Sequence, residues 1–471
     1  IMQRFSPDAI KRVYFIAICG TGMTALAGML KSRGYDVRGS DQNVYPPMST
    51  FLDELSIPYH IGFDEKHLDP PPDLVVIGNA MSRGNPEVEA VLERKICYIS
   101  LPFALKEFFI RGKYSCVVVG THGKTTTSAL LAWVLENAGR DPGFFMGGIP
   151  ENFGRGFRLG DGNVFVTEGD EYDSAFFDKG SKFFHYLPDL VILNNIEFDH
   201  ADIFRNLDEI ETAFNRFINL IPRNGYLIAG WDDPIVRKLS AKAFSKVVTF
   251  GLGKDATWQA RNIVGDALVT RFDVYQNDKR MAQVMVPLFG EHMVKNCLGV
   301  IAAGNALGLS MEEISAGLAT FKNVRRRLQF KGERKNIKIF DDFAHHPTAV
   351  KATLAGLRSR YPRQRIWAMY EPRTASSKRR VFEHDYIAAL AVADRVILTP
   401  LYMPEKVSAD ERLSVESIVS ALNQAKIQAW IVPPNSEMLD FLKSQLESGD
   451  IALFMSNGDF HGIPEKLLNI I

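Results

Sequence analysis

The sequence has few cysteines, no excess charge of either sign and no long apolar run. Its four cysteines, Cys19, Cys97, Cys116 and Cys297, include no CxxC pair, which argues against a disulfide framework or a zinc site. Basic and acidic residues number 55 each, so the net charge is zero and a nucleic-acid partner is disfavoured. No apolar stretch approaches the roughly 18 residues that span a bilayer, and no signal-peptide pattern is found. We therefore expect a cytoplasmic protein with no membrane partner.

Short apolar strands alternate with amphipathic helices along the chain, a pattern typical of α/β domains built on parallel sheets. The 471 residues suit about three domains. We predict a Rossmann-like N-terminal domain at 1–112, a central P-loop ATPase-type domain at 113–324 and a C-terminal Rossmann-like α/β domain at 325–471. The segment 246–287 consists of alternating short strand-like runs. This pattern predicts an antiparallel insertion or an extension of the sheet.

The most specific motif is a glycine loop between a strand and a helix. The apolar run Tyr114–Val119 leads directly into Gly120, Thr121, His122, Gly123, Lys124, Thr125 and Thr126. Glycines let backbone amides approach phosphate oxygens, while Lys124 supplies a positive charge and Thr125 places a hydroxyl on Mg²⁺. The usual first glycine of GxxxxGK would fall on Val118, so this is the shorter GxxGKT loop. The loop predicts a nucleoside triphosphate, but it does not by itself separate a ligase from a nucleotide switch or a motor.

A second glycine turn follows the first predicted strand and opens a helix in a GxGxxA pattern. It comprises Gly20, Thr21, Gly22 and Met23, and Asp41 follows the next strand. Such a turn binds a pyrophosphate, as it does in NAD-dependent dehydrogenases. A nucleotide-sugar diphosphate fits the same geometry, and a purely structural turn is the third alternative. We favour a diphosphate ligand other than NAD.

Acidic and amide side chains follow two predicted strands of the central domain, at the edge where parallel sheets bind ligands. Glu168 follows the strand at 164–167, and Asn195, Asp199 and His200 follow Leu190–Leu193. Glu168 is a natural ligand for Mg²⁺, and His200 suits a second cation or the orientation of a carboxylate. A solvated acidic loop is the alternative for either cluster alone.

Two later segments carry further candidates. His292 and Asn296 lie four residues apart and share a helical face, which also suits capping or core roles. Asp342 and His345 follow the strand at 337–340, and Asp342 is placed to accept hydrogen bonds from ribose hydroxyls.

Together these motifs resemble those of the Mur ligase superfamily, the ATP-dependent amide ligases of peptidoglycan synthesis. GTHGKTTT, EGDEYD, NNIEFDH, GEHMVKN, RRRL and DDFAHHPT occur in the family's order and span most of the chain. CGTGM is similar to the UDP-sugar site of members that act on UDP-N-acetylmuramate. Segments such as SDQNVYPPMST, EPRTASSK and MSNGDFHGIPEKLL are similar to members that attach the tripeptide L-alanyl-γ-D-glutamyl-meso-diaminopimelate in murein recycling.

The resemblance implies roles for individual residues. Lys124, Glu168, His200 and Arg327 are implied to be catalytic, and Thr125, Glu168 and His200 to form the metal site. The residues implied for ATP are Gly120, Thr121, His122, Gly123, Lys124, Thr125, Thr126, Asn296, Arg327 and Asp342. Those implied for the UDP-sugar and the peptide are Gly20, Thr21, Gly22, Met23, Asp41, His122, Asn195, Asp199, His345 and Arg373.

Three positions depart from the family pattern. Met293 stands where Asn is usual, so a polar contact near the nucleotide is either missing or supplied by another residue. Positions 214 and 215, where some members carry a carbamoylated lysine, hold Phe and Asn. Gly180 replaces an expected Arg and is expected to alter the contacts to the peptide.

We expect an enzyme that uses ATP and Mg²⁺ to join the UDP-N-acetylmuramate carboxylate to the tripeptide amine through an acyl-phosphate. Its partners are these small molecules, and the chain is expected to be a monomer or a weak homo-oligomer. The alternatives are a UDP-N-acetylmuramate–L-alanine ligase, an NAD-dependent oxidoreductase and a nucleotide switch. The oxidoreductase leaves GKTTT unexplained, and the switch leaves the third domain without a role.

Overall fold

The strands form three large sheets that occupy three consecutive stretches of the chain. The computed structural model describes residues 7–199, 203–266 and 268–471. His200 therefore lies outside the described residues. Each sheet is mainly parallel and alternates with helices, so the predicted α/β class with three such units is confirmed. Within those ranges no helix combines the length and apolarity needed to cross a membrane.

The first sheet has five parallel strands. They are β1 (Arg12–Ile16), β2 (Asp36–Asp41), β3 (Tyr59–Ile61), β4 (Leu74–Ile77) and β5 (Tyr98–Ser100). The helices are α1 (Thr21–Ser32), α2 (Met48–Glu54), α3 (Pro86–Glu93) and α4 (Leu101–Leu105). The strand order is β3-β2-β1-β4-β5, so the chain reverses its direction of growth at β1 and β4. Ligands of doubly wound sheets bind at such a point, and the turn after β1 is the glycine turn at 20–23.

The second sheet has ten strands. Those in it are β6 (Tyr114–Val119), β7 (Gly143–Phe145), β8 (Phe157–Arg158), β9 (Val164–Glu168), β12 (Leu190–Leu193), β13 (Tyr226–Gly230), β14 (Lys246–Gly251), β15 (Trp258–Gly265), β16 (Thr270–Gln276) and β17 (Lys279–Val286). A separate hairpin pairs β10 (Asp173–Ala175) with β11 (Asp178–Ser181). The helices are α5 (Lys124–Asn137), α6 (Leu207–Ile218), α7 (Pro234–Ser240), α8 (Glu291–Ala306) and α9 (Met311–Ala319).

The order of this sheet is β17-β16-β15-β14-β13-β12-β6-β9-β7-β8. The antiparallel pairs β15–β16 and β16–β17 extend it at one edge, which confirms the predicted sheet extension. The central strands β12, β6 and β9 are parallel neighbours, and their carboxyl ends carry the glycine loop and both acidic segments.

The third sheet has six strands. They are β18 (Gln329–Arg334), β19 (Ile337–Asp342), β20 (Ile366–Tyr370), β21 (Arg395–Leu398), β22 (Gln428–Ile431) and β23 (Ile451–Met455), in the order β18-β19-β23-β20-β21-β22. The helices are α10 (Pro347–Arg360), α11 (Glu383–Leu390), α12 (Val415–Gln424), α13 (Ser436–Gln445) and α14 (Ile463–Ile470). Only the edge pair β18–β19 is antiparallel among these strands.

Two helices begin earlier than the apolar periodicity predicts. α5 begins at Lys124 rather than Ser128, and α8 begins at Glu291 rather than near Lys295. Each starts directly after a glycine with positive φ, at 82° for Gly123 and 95° for Gly290. The first turn of α5 is wholly polar, and α8 begins with the polar residues Glu291 and His292, so periodicity locates the apolar part of each helix and misses its beginning.

An aromatic pair and a cation–π contact join the three units. The rings of Phe51 and Phe157 lie 5.5 Å apart edge to face, which packs α2 against the β7–β8 end of the central sheet. On the other side, the Arg360 guanidinium lies 3.8 Å from the ring centroid of Phe289, which joins the C-terminal unit to the segment before α8. The second contact helps to hold the C-terminal unit over the glycine loop that leads into α5.

Candidate active site

The glycine loop is shaped by two glycines that adopt positive φ, 129° at Gly120 and 82° at Gly123. A Cβ on Gly123 would lie 2.7 Å from Asn296 Oδ1 and 2.9 Å from Asn194 Nδ2. These distances leave no room for a side chain at Gly123. They also show that Asn296, which is predicted to contact the nucleotide, lies against the loop. Met293, the departure from the family pattern, accepts a weak hydrogen bond from Asn296 Nδ2 at 3.8 Å, so its sulfur orients that amide.

The segment after β12 braces the loop through backbone and side-chain hydrogen bonds. The backbone N–H groups of Thr121 and His122 donate to the Asn195 carbonyl at 2.9 Å and to Asn195 Oδ1 at 2.8 Å. Asn194 Nδ2 donates to Thr127 Oγ1 at 3.2 Å, which ties the same segment to α5. Asn195 therefore holds the loop in its phosphate-binding shape, and a role in fixing the loop is added to its predicted role toward substrate.

Lys124 is paired with a buried carboxylate of its own domain. Its Nζ donates to Glu171 Oε2 at 2.9 Å, to Glu171 Oε1 at 3.2 Å and to the Gly120 carbonyl at 2.8 Å. Burial alone lowers the pKa of Lys124, but the charges of Glu171, Asp170 and Glu168 and the hydrogen bond to Glu171 together outweigh that effect, so the pKa is raised above its ordinary value. Lys124 is therefore charged and held beside the loop.

Thr125 and Glu168 form an oxygen pair next to Lys124. Thr125 Oγ1 donates to Glu168 Oε2 at 2.7 Å, and the Gly147 N–H donates to the other carboxylate oxygen. A hydroxyl and a carboxylate beside a phosphate loop match the oxygen ligands that Mg²⁺ takes in proteins. These two residues therefore fit the predicted metal site. The predicted third ligand, His200, lies outside the described ranges.

A cleft of about 1170 Å³ opens between the central and C-terminal units, directly over the glycine loop. The predicted residues that line it are Thr121, His122, Gly123, Lys124, Thr125, Thr126, Glu168, Asn195, Asp199, Asn296, Arg327, Asp342 and His345. Its volume suits a nucleotide together with a reacting group. The structure thus brings most of the predicted ATP and metal residues into one cavity.

The C-terminal wall of the cleft carries Arg327, Asp342 and His345. Asp342 Oδ1 accepts a hydrogen bond from Ala344 N at 2.7 Å, and Asp342 Oδ2 accepts one from Leu328 N at 2.5 Å, so this carboxylate fixes the interdomain segment beside Arg327. Burial lowers the pKa of Arg327 and raises that of Asp342, while each charge partly offsets the shift of the other. Burial also lowers the pKa of His345 to about 4, so its imidazole is neutral near pH 7.

A cluster of two histidines and a glutamate links the glycine loop to the C-terminal unit. His122 Nε2 lies 3.2 Å from Glu197 Oε2, and His346 Nδ1 lies 3.8 Å from the same oxygen. Thr348 Oγ1 donates to Glu197 Oε2 at 2.7 Å. Burial raises the pKa of Glu197, but hydrogen bonds and charge from His122, Thr348 and His346 lower it overall to about 2. Glu197 is therefore an ionised group that joins the two walls of the cleft.

Other predicted substrate residues lie away from this cleft. Asp41 accepts hydrogen bonds from the backbone N–H groups of Cys19 at 2.9 Å and Asn43 at 3.0 Å, so it fixes the turn Gly20–Thr21–Gly22–Met23. That turn closes against the central unit, because a Cβ on Gly22 would lie 3.6 Å from Phe145 Cζ. Arg373 stacks 4.0 Å from the ring centroid of Tyr402 and lies 3.6 Å from Glu371, within the C-terminal unit.

Four residues of the site were missed by the sequence analysis as individual candidates: Asn194, Glu171, Glu197 and His346. All belong to the segments EGDEYD, NNIEFDH and DDFAHHPT that were recognised as motifs. Their position after strands whose carboxyl ends meet at one sheet edge is the feature of the sequence that indicates a role in the site. The geometry of the turn decides which residue of each segment points to the loop. Residue type alone does not specify that geometry.

A phosphate-binding loop, an oxygen pair for a cation and an interdomain cleft together define a nucleotide-dependent enzyme of the P-loop class. Three family profiles match in succession: "Mur ligase family, catalytic domain" at 12–113, "Mur ligase middle domain" at 118–304 and "Mur ligase, glutamate ligase domain" at 326–458. The chain belongs to the Mur ligase family, whose members are ATP-dependent ligases.

Relatives cover almost the whole chain. The UDP-N-acetylmuramate–L-alanyl-γ-D-glutamyl-meso-2,6-diaminoheptandioate ligase of Escherichia coli strain K12 is 41% identical over 460 residues, covering 97% of this chain and 98% of its own. The crystal structure of a murein peptide ligase from Psychrobacter arcticus 273-4 has a TM-score of 0.71 at 34% identity, covering 97% of this chain and 98% of its own. The UDP-N-acetylmuramate-alanine ligase of Thermotoga maritima has a TM-score of 0.79 at 25% identity, with the same coverage. Backbone shape is thus shared between both kinds of ligase, and sequence identity is higher with the tripeptide-adding kind.

Proposed function

We propose that this enzyme joins the carboxylate of UDP-N-acetylmuramate to the free amine of L-alanyl-γ-D-glutamyl-meso-diaminopimelate, with ATP and Mg²⁺, in murein recycling in the cytoplasm. The observation that carries the chemistry is the grouping of Lys124, Thr125 and Glu168 in a cleft covered by a second domain. The observation that favours this acceptor is the 41% identity over nearly the whole chain with a ligase of that name.

The first step activates the carboxylate. An oxygen of UDP-N-acetylmuramate attacks the γ-phosphorus of ATP, and ADP leaves, which gives an acyl-phosphate. The backbone amides of the loop and the ammonium of Lys124 stabilise the negative charge on the transferring phosphoryl group. Thr125 and Glu168 are the residues that would hold Mg²⁺, which would supply further positive charge at the phosphates.

The second step forms the amide. The peptide amine attacks the acyl carbon, the carbon–oxygen bond to phosphate breaks, and the amine proton passes to a base. Asp199 lines the cleft beside this region and is our candidate to hold that proton together with His200. Arg327 and His345 come from the C-terminal wall, so the site is complete only when that domain covers the loop, which also excludes water.

The N-terminal turn at 20–23 is proposed to hold the diphosphate of the UDP-sugar at the start of α1. Domain limits at 112/113 and 324/325 separate this unit from the ATP unit and the C-terminal unit. The enzyme is proposed to act as a monomer or a weak homo-oligomer on small-molecule substrates alone.

The second candidate is a UDP-N-acetylmuramate–L-alanine ligase, favoured by the TM-score of 0.79 with such an enzyme. The decisive assay measures ADP and phosphate with UDP-N-acetylmuramate and either the tripeptide or L-alanine as the acceptor. We expect kcat/KM for the tripeptide to exceed that for L-alanine by more than tenfold. A preference for L-alanine would contradict the proposal and support the second candidate. Activity that requires nicotinamide cofactor would instead support an oxidoreductase.

A further inference from the structure

A second cavity, of about 630 Å³, lies in the central unit between the β10–β11 hairpin and α6. We propose that it binds the two distal residues of the acceptor, γ-D-glutamate and diaminopimelate, so that the cavity sets which amine substrate is used. This inference rests on the proposed function, since it concerns the same acceptor. The volume lies within the range of small-molecule sites.

The cavity adjoins the phosphate loop through one residue. Glu171 lines the cavity, and its carboxylate holds the ammonium of Lys124 at 2.9 Å. The preceding residue, Asp170, lines the nucleotide cleft instead. Consecutive residues of one segment thus face the two cavities. In the proposed binding mode, a peptide whose amine reaches the acyl-phosphate beside Lys124 extends its distal end past this segment into the second cavity.

The charges of the lining match the chemistry of those distal residues. γ-Linked glutamate keeps a free α-carboxylate, and diaminopimelate adds two carboxylates and one distal amine. Lys179 and Arg216 offer cationic groups, while Asp208 and Glu209 offer carboxylates at the start of α6. A lining with both signs of charge selects a ligand with both, and L-alanine alone carries nothing that reaches it.

Arg216 is the best-placed group for a carboxylate. Lys179 already pairs with Asp173 at 2.9 Å, whereas Arg216 forms no hydrogen bond or ion pair with any residue in the described ranges. Its side chain is exposed on α6 and faces the cavity as part of its lining. A guanidinium binds a carboxylate through two parallel hydrogen bonds, so it discriminates strongly for that group.

Gly180 widens the cavity at the position where the family pattern has Arg. Its φ is not in the left-handed region, and an added Cβ would meet only Phe184 Cδ2 at 3.4 Å and Asp178 Oδ1 at 3.5 Å. The backbone therefore does not require glycine there. The absence of a side chain leaves space in the wall, with Phe184 and Ala213 as apolar lining for the methylene chain of diaminopimelate.

Arg216→Gln tests the proposal, with Arg223→Gln as the matched control, because Arg223 is an exposed arginine just beyond α6 that does not line the cavity. We expect Arg216→Gln to raise the KM for the tripeptide by about tenfold to a hundredfold, the effect of one charged hydrogen bond or a bidentate pair. The KM values for ATP and UDP-N-acetylmuramate should stay within twofold, and Arg223→Gln should match the wild type throughout.

Gly180→Leu supplies a second, steric test, with thermal unfolding as the check on folding. We expect it to weaken tripeptide binding at least tenfold by titration calorimetry, with UDP-N-acetylmuramate and a non-hydrolysable ATP analogue present. If wild-type enzyme does not use the tripeptide, the proposed function fails. If the wild type uses it and both variants keep its KM and its affinity within twofold, the function stands and the cavity proposal is overturned.

Discussion

The Nζ of Lys124 lies 2.9 Å and 3.2 Å from the two carboxylate oxygens of Glu171, so the phosphate-loop lysine is neutralised by its own domain. Glu171 is buried, and Lys124 is only 15% exposed in its side chain. ATP brings several negative charges to the same ammonium. We therefore expect nucleotide binding to exchange one anionic partner of Lys124 for another, from the carboxylate of Glu171 to the phosphates.

Glu171→Gln should destabilise the nucleotide-free enzyme by about 2–3 kcal/mol, because it leaves a buried lysine charge without its counter-charge. A non-hydrolysable ATP analogue should recover most of that loss by supplying phosphate charge. Urea unfolding with and without the analogue measures both values. Glu136→Gln, which removes a partly exposed pair with Arg158, should cost less than about 1 kcal/mol. An equal loss for Glu171→Gln in both conditions would contradict the exchange.

Gly123→Ala should abolish high-affinity ATP binding, because the new Cβ meets Asn296 Oδ1 at 2.7 Å within the loop. Gly139→Ala is the matched control, since Gly139 also has positive φ, 71°, but has no neighbour within 4 Å of an added Cβ. Backbone strain should cost both variants about 1 kcal/mol of stability, and Gly123→Ala should lose more because Asn296 and Asn194 must also shift. Only Gly123→Ala should weaken ATP binding, by tenfold or more in calorimetry; equal affinity in the two variants would count against the loop geometry.

Thr125→Val should raise the Mg²⁺ concentration needed for half-maximal activity by about tenfold or more, because it removes the hydroxyl proposed as a Mg²⁺ ligand, which lies 2.7 Å from Glu168 Oε2. Thr125→Ser keeps the hydroxyl and should respond to Mg²⁺ as the wild type does. ADP formation across a Mg²⁺ titration measures the difference. Identical titration curves for the valine and serine variants would remove Thr125 from the metal site.

The free energy of unfolding should fall as the pH is lowered through the range in which His345 becomes protonated. Burial lowers its folded-state pKa to about 4 from 6.5, so the unfolded chain takes up a proton there before the folded protein does. Its contribution to stability is full above pH 6.5 and is lost as the pH falls toward 4. Urea unfolding at pH 7.5 and pH 4.5 should therefore show a smaller loss in His345→Gln than in the wild type. An unchanged loss would show that His345 does not titrate in this window.

Glu197 should affect stability at lower pH than His345 does, because its folded-state pKa of about 2 lies below its ordinary 4.5. Its stabilising interactions with His122 and Thr348 should persist above pH 4.5 and weaken as the pH falls from 4.5 to 2. Glu197→Gln should consequently be less stable than the wild type at pH 7, and this difference should be smaller at pH 3. The same difference at both pH values would argue against an ionised link between the two domains.

The sequence predicts the parts of this enzyme that depend on local order, and it misses those that depend on the meeting of distant segments. The loop from Gly120 to Thr126 is contiguous, and its strand and helix are marked by apolar residues, so its role follows from the chain itself. Glu171 and Glu197 acquire their partners, Lys124 and His122, across 47 and 75 residues. No periodicity specifies such pairs, since they depend on which strands are neighbours in the sheet.

The N-terminal turn is a contiguous motif whose ligand the local sequence does not identify. Its GxGxxA pattern fits NAD, a nucleotide sugar or a structural turn equally well in local geometry. The β3-β2-β1-β4-β5 order places that turn at a ligand-binding point of the sheet, but the backbone does not choose among diphosphates. The family membership of all three units favours the nucleotide sugar.

The transfer of carboxylate oxygen to phosphate tests the proposed chemistry most directly. UDP-N-acetylmuramate labelled with ¹⁸O in its carboxylate is supplied with ATP, Mg²⁺ and the tripeptide, and the released phosphate is analysed by mass. An acyl-phosphate formed beside Lys124 requires one ¹⁸O atom to appear in each phosphate as the amide forms. Phosphate that carries no label, released while the amide product accumulates, would contradict the account.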